Sequence, residues 1–201
     1  METFIMKRLL FISDNIFFCA GVDSNVADTR IVGGESANST NILLNDDQIP
    51  VVRVSNLTLR RQIIEKIQSI TDKYIVTLDE IYPRSSFKLG DVLFCGNLLS
   101  YRNIIKFFEC NRKSHFAKLT DRELAVLYRM HNDNAQIAEE MNLSVKTISH
   151  YKLSILEKLR VDMKSNINLL KVKLTLDQAY LYSVNDELYH FCQMDETEFA
   201  F

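Results

Sequence analysis

Apolar residues fall in short dense blocks along the first half of the chain and in a helical rhythm along the second. Arg8 to Ser13 (RLLFIS), Ile42 to Leu44, Val51 to Val54, Tyr74 to Leu78 (YIVTL) and Asp91 to Cys95 (DVLFC) have the length and density of buried strands. Between and after them, Leu59 to Ile70 and Tyr101 to Phe108 carry apolar residues at helical spacing. Strands alternating with helices predict a parallel sheet covered on both faces.

Beyond residue 118 the punctuation is that of short helices. Thr120 is placed to cap a helix starting at Asp121, with Glu123 three residues on to return the hydrogen bond and Leu119 and Leu124 at the staple positions. The pattern breaks at His131-Asn132-Asp133-Asn134, whose last Asn is the expected cap of a second helix, Ala135 to Met141. Asn142-Leu143 makes a tight turn, and Ser144 caps a third helix from Val145 to about Leu159. Two helices joined by a three-residue turn, the second bearing Lys146, Thr147, Ser149, His150 and Lys152 near its start, form a helix-turn-helix arrangement. A further helix is expected from Asn166 to Leu174 behind a Ser165 cap.

Charge sharpens this division. The chain of 201 residues is nearly neutral at −2, yet residues 112–173 hold 12 basic and 7 acidic side chains, while residues 174–201 hold 6 acidic and none basic. A basic segment between a near-neutral domain and an acidic tail points to a polyanionic partner for one part only. Lys7-Arg8 and the apolar residues after it resemble a leader superficially, but Ser13-Asp14-Asn15 cuts the apolar stretch, so no signal peptide or membrane span is expected. Cys19, Cys95, Cys110 and Cys192 form no CxxC pair and read as reduced thiols of a cytoplasmic protein.

The runs LTDRELAVLYRM and QIAEEMNLSVKTISHYKLSILEKLRV resemble the C-terminal DNA-binding domain of the LuxR/NarL/FixJ class of bacterial transcription regulators, over about residues 117–174. Two features depart from that class: the first inter-helix turn is shorter and lacks a Gly, and Tyr151 stands where His is common. The resemblance implies that the helix starting at Val145 enters the major groove of double-stranded DNA. Lys146 and Thr147 are then phosphate contacts, Val145, Ser149, His150 and Leu153 face or flank base edges, Lys152 serves either role, and Ser144 with its helix terminus approaches a phosphate. It also implies dimer contacts by Ile167, Leu170 and Leu174, and RNA polymerase as a further partner.

Residues 1–110 resemble the receiver domain of a response regulator in degenerate form. A working receiver needs an acidic pair after its first strand, an acceptor Asp after its third, a hydroxyl after its fourth and a Lys after its fifth. Here the pair reads Ser13-Asp14, the acceptor region Asn45-Asp46-Asp47, the hydroxyl Thr77, and Cys95 or Gly96 replaces Lys. Phosphotransfer is therefore not expected. Asp14 and Asp46 remain a candidate carboxylate pair for a divalent ion, but the broken pair and missing Lys argue against a metal. The surplus of Tyr101, Ile104, Ile105, Phe107 and Phe108 over what one sheet face requires marks a dimer face, with ordinary core as the equal alternative.

The expected organisation is thus a receiver-like α/β domain (1–110), a linker (111–118), a small all-α helix-turn-helix domain (119–174) and an acidic aromatic tail (175–201), whose aromatics point to docking, either as a further helix against the N-terminal domain or as a cover for the basic face. No catalytic role is expected: no Gly-rich phosphate loop, HExxH or GxSxG occurs, and His115, His131, His150 and His190 have no nucleophile obviously beside them. His190 and Cys192 with Cys110 and His115 lack the spacing of a zinc site, and no cofactor is implied. The leading expectation is a transcription regulator that binds DNA as a dimer. The alternative is a co-regulator that heterodimerises with a related regulator through its N-terminal domain, and replacing Lys146 and Lys152 by Ala separates the two.

Overall fold

The computed structural model describes residues 8–33, 42–97, 101, 103–105, 119–162 and 166–181. Six strands form one sheet: β1 (Arg8–Ser13), β2 (Ala27–Ile31), β3 (Gln48–Arg53), β4 (Ile75–Leu78), β5 (Ser86–Leu89) and β6 (Val92–Gly96). Their order is β2-β1-β3-β4-β6-β5, with all neighbours parallel except the β5–β6 hairpin. With β5 set aside, this is the strand order of flavodoxin-like sheets.

Both sheet faces are dry over the inner strands, which is why β1, β4 and β6 read as unbroken apolar runs. Leu9, Phe11, Ile49, Val51, Ile75, Leu93 and Cys95 face one side, where Phe18 of α1 (Ile16–Ala20) and the helical residues Tyr101, Ile104 and Ile105 cover them. Leu10, Ile12, Val52, Val54, Val76, Leu78 and Phe94 face the other, under Ile63, Ile64 and Ile67 of α2 (Leu57–Gln68). The period of two in β1 assigns alternate residues to opposite cores.

The C-terminal part is helical: α3 (Asp121–Tyr128), α4 (Asn134–Glu140), α5 (Val145–Lys158) and α6 (Asn166–Leu176), followed by a π-helical turn, Asp177–Leu181. The expected architecture of a parallel α/β domain plus a small all-α domain is present. The two share a core, however. Val126, Ile137, Ile148, Ile155, Leu159, Val172, Leu176 and Ala179 belong to the same apolar cluster as the α2 face of the sheet. Thr175 to Leu181, the first residues of the expected tail, continue α6 without a break and pack on the α/β domain, in line with the docked-helix expectation: the Tyr74 hydroxyl and the Gln68 side-chain amide both donate to Ala179 O, each at 3.1 Å. Residues 182–201 lie outside the described residues.

Several local expectations change. Ile42 is buried but belongs to no strand, and Leu43 is exposed; the second strand is Ala27–Ile31, whose polar ADTRI reads as an edge. Pro50 lies inside β3 rather than just before it, as the expected Val51 to Val54 strand had it, at a point where β3 has only β1 beside it, since β4 joins at Val51. After β4 the chain forms the β5–β6 hairpin, turning at Gly90 (φ 56°), the position a two-residue hairpin turn gives to glycine. Among the described residues, no helix is long and apolar enough to cross a membrane.

Candidate nucleic-acid interface

The helices that carry the interface are held by caps legible in their sequence. Thr120 Oγ1 accepts from Glu123 N, and Glu123 Oε2 accepts from Thr120 N at 2.7 Å, closing the expected capping box on α3. Glu123 then reaches across to α5, accepting from Lys158 Nζ at 2.6 Å and from Ser154 Oγ at 2.6 Å. Burial pushes this carboxyl up, but Lys158, Ser154 and Thr120 outweigh burial and hold it down at about 2.

The α4 cap is Asp133 rather than Asn134: its Oδ1 accepts from Ala135 N and Gln136 N, and the Gln136 side chain returns to Asp133 N. The spacing Asp133-x-x-Gln136 carried that signal. Asn134 has another task, donating from Nδ2 to Ser149 Oγ at 3.1 Å and so fixing α4 against α5. The short first turn is braced by Arg129 and Asn132, which both bond the Glu140 carboxylate. At the second turn Asn142 sits at φ 50°, and Leu143 N bonds Ala138 O while Asn142 N bonds Glu139 O, the paired bonds of a Schellman stop.

Ser144 caps α5 by accepting from Thr147 N at 3.0 Å, and the two hydroxyls are 2.8 Å apart. Ile148 and Ile155 face the core, which turns Val145, Lys146, His150 and Leu153 to solvent. Val145 and Leu153 are 49% and 53% exposed, high for apolar side chains on a packed helix. Ser149 is half-buried and engaged, donating to Val145 O as well as accepting from Asn134. Lys152 is half-buried too; burial pushes its ammonium down, with Asp133 acting in the opposite sense.

Of the residues expected at a dimer face, Ile167 and Leu170 are 60% and 45% exposed on α6 and Leu174 is half-buried. Tyr101 and Ile105 pack on the sheet, Tyr101 edge-on to Phe11 with centroids 5.4 Å apart. Phe107, Phe108, the Ser165 cap, residues 111–118 and the Cys110, His115, His190 and Cys192 set lie outside the described residues.

The other candidate site, at the receiver-like end of the sheet, is corrected. Asp46 and Asp47 form the turn entering β3, where Asp47 O accepts from Arg8 N, so they stand at the opposite end of the strands from Asp14. Asp14 and Asp46 form no cluster. The residue ending β3 beside Ser13 is Arg53, whose guanidinium lies 4.1 Å from the Phe18 ring centroid. Asp14 accepts from Ser55 N and Asn56 N, and Asp79 bonds Asn97 and Ser55. A cation in place of an acceptor carboxylate, and carboxylates already committed to donors, do not fit a receiver's Mg2+. Among the described residues no three His, Cys, Asp or Glu side chains gather as a metal site. Cys19 and Cys95 are free, buried thiols; burial pushes Cys95 up to about 11 against the Thr77 hydroxyl 3.7 Å away.

Comparison with known proteins agrees with the helical geometry. Residues 117–169 match the family described as bacterial regulatory proteins, luxR family. A search of curated proteins finds no match. Among solved structures, one described as a low-resolution structure of the response regulator StyR is similar at 17% identity, covering 83% of this chain and 98% of its own, with a TM-score of 0.32. The capped three-helix unit that turns Val145, Lys146, His150 and Leu153 outward thus lies within the stretch that matches the luxR family of bacterial regulatory proteins, and it follows a mainly parallel α/β sheet.

Proposed function

We propose that the protein is a sequence-specific, DNA-binding transcription regulator of a bacterial cytoplasm that acts as a dimer and needs no aspartate phosphorylation. The observation that carries this reading is the solvent-facing row Val145, Lys146, His150 and Leu153 on a 14-residue capped helix. Lys146 and the Ser144–Thr147 helix start meet phosphate, while Val145, His150 and Leu153 meet base edges, the apolar pair suiting thymine methyl groups. Ser149 serves the fit between α4 and α5. Two copies pair through the α6 stripe of Ile167, Leu170 and Leu174, which recurs at helical spacing and leaves two large apolar side chains in solvent.

Independence from phosphorylation is supported by Arg53 at the end of β3 and by the bonded carboxylate of Asp14. Incubation with a small phosphodonor and Mg2+ is expected to leave the intact mass and the DNA affinity unchanged.

The testing experiment is selection of bound sequences from random duplex DNA by the full-length protein at two salt concentrations. An enriched pseudo-palindrome is expected, with log affinity falling linearly with log salt. Lys146→Ala should weaken binding evenly across sequences and lower the salt slope by about 1. Enrichment of no sequence at either salt overturns the reading.

A further inference from the structure

The DNA-binding helices are sewn to the sheet. Just past the end of α5, Val161 pairs with Ile81 as an antiparallel bridge, Tyr82 N donates to Arg160 O at 2.8 Å, and Asp162 N donates to Glu80 O at 2.9 Å. The backbone of Glu80 thus holds the end of the reading helix. Its side chain turns inward to Arg60 of α2, whose Nη1 and Nη2 each reach a different carboxylate oxygen at 3.2 Å. The same Nη1 donates to Thr175 Oγ1 on α6 at 3.1 Å, and Nε donates to Val54 O at 2.7 Å. A single guanidinium therefore touches the end of β3, the loop that grips α5, and α6.

The side chains of this ion pair are only 1% and 5% exposed. Burying two charges has a large desolvation cost, and apolar side chains of similar volume cover a core at least as well. What the fork adds is geometry, since a bidentate guanidinium–carboxylate pair accepts one relative orientation. An apolar contact between the sheet and α6 would tolerate sliding.

We propose that Arg60 and Glu80 are positioning residues for DNA reading: they fix the angle at which α5 leaves the α/β domain, so that two copies present their reading helices at one spacing. The spacing rests on the dimeric reading given above; the fixed angle does not. The test uses the full-length Arg60→Met/Glu80→Gln variant, which removes both charges without stranding either one in the core.

Hydrogen exchange should show the amides of Tyr82 and Asp162 opening at least about tenfold faster than in the wild type, while those of Ile12 and Ile155 keep their rates. Selection from random duplexes should return the wild-type half-site with its partner at scattered spacings. Thr175→Val, which removes the hydroxyl that accepts from Arg60 Nη1 and donates to Lys171 O but leaves the ion pair, should loosen the same two amides by less. Wild-type exchange at Tyr82 and Asp162, or a spacing that stays fixed, overturns the proposal. So does loss of protection at Ile12 and Ile155 together with the bridge, because the pair is then a requirement of the fold and not of its orientation. If the wild type enriches single half-sites only, the dimer reading fails, and exchange at Tyr82 and Asp162 decides the clasp.

Discussion

Glu123 shows how one side chain serves both a helix end and the packing between helices. Its carboxyl, held at about 2 against an ordinary 4.5, contributes stability that is fully present above the ordinary value. That contribution is lost as pH falls from about 5 towards 2, because protonation removes the negative charge that strengthens the bonds from Lys158 and Ser154. Denaturation midpoints measured across this range should fall steeply in the wild type and less so in Glu123→Gln, which starts lower by about 2 kcal/mol. The Thr120–Glu123 box was legible because capping is local: both partners lie within one turn. Arg53 and Asn134 were not, since their roles come from the register of β3 and from a neighbour fifteen residues away. The cap on α4 was placed one residue late for a simpler reason: Asn134 is as good a capping residue as Asp133, and only Gln136 distinguishes them.

Two helices of the C-terminal half end in the same way. Both α4 and α5 stop with a residue in the left-handed region, Asn142 at φ 50° and Arg160 at φ 54°, and with the paired backbone bonds of a Schellman motif. Asn tolerates that conformation and alanine does not, so Asn142→Ala should cost about 1 kcal/mol in thermal unfolding while Asn142→Gly stays near the wild type. On the sheet, Gly96 is required by space: a Cβ there would stand 2.3 Å from Tyr82 O, in the segment that grips Arg160. Gly96→Ala should therefore disturb the bridge to α5, read as faster amide exchange at Tyr82. The strands most legible in the sequence were those buried on both faces, β1, β4 and β6, because apolar density alone marks them. The edge strands β2 and β5 were missed: half of each faces solvent, and ADTRI and SFKL carry too few apolar residues to stand out.

At the scale of the molecule, the two halves share one core and should unfold in one cooperative transition. Arg60→Met alone leaves the Glu80 carboxylate buried without its partner and should cost about 3–5 kcal/mol in chemical denaturation, whereas the double variant with Glu80→Gln should cost far less. A stop after Leu174 removes Thr175, Leu176 and Ala179 from the shared core, so its effect on DNA binding would report damage rather than release of a cover. A stop after Leu181 keeps those contacts and is the proper test of whether the acidic tail inhibits: tighter DNA binding by the shortened chain would mean that it does, and equal affinity that it does not. The boundary read from the sequence at 174 followed charge and helix punctuation, neither of which registers that α6 runs on unbroken into the residues that dock on the first domain. The placement of that packing has a consequence during synthesis. The side chains that complete the shared core beside α2 are encoded after the helix-turn-helix, so a nascent chain cannot finish that core until its last described helix has left the ribosome.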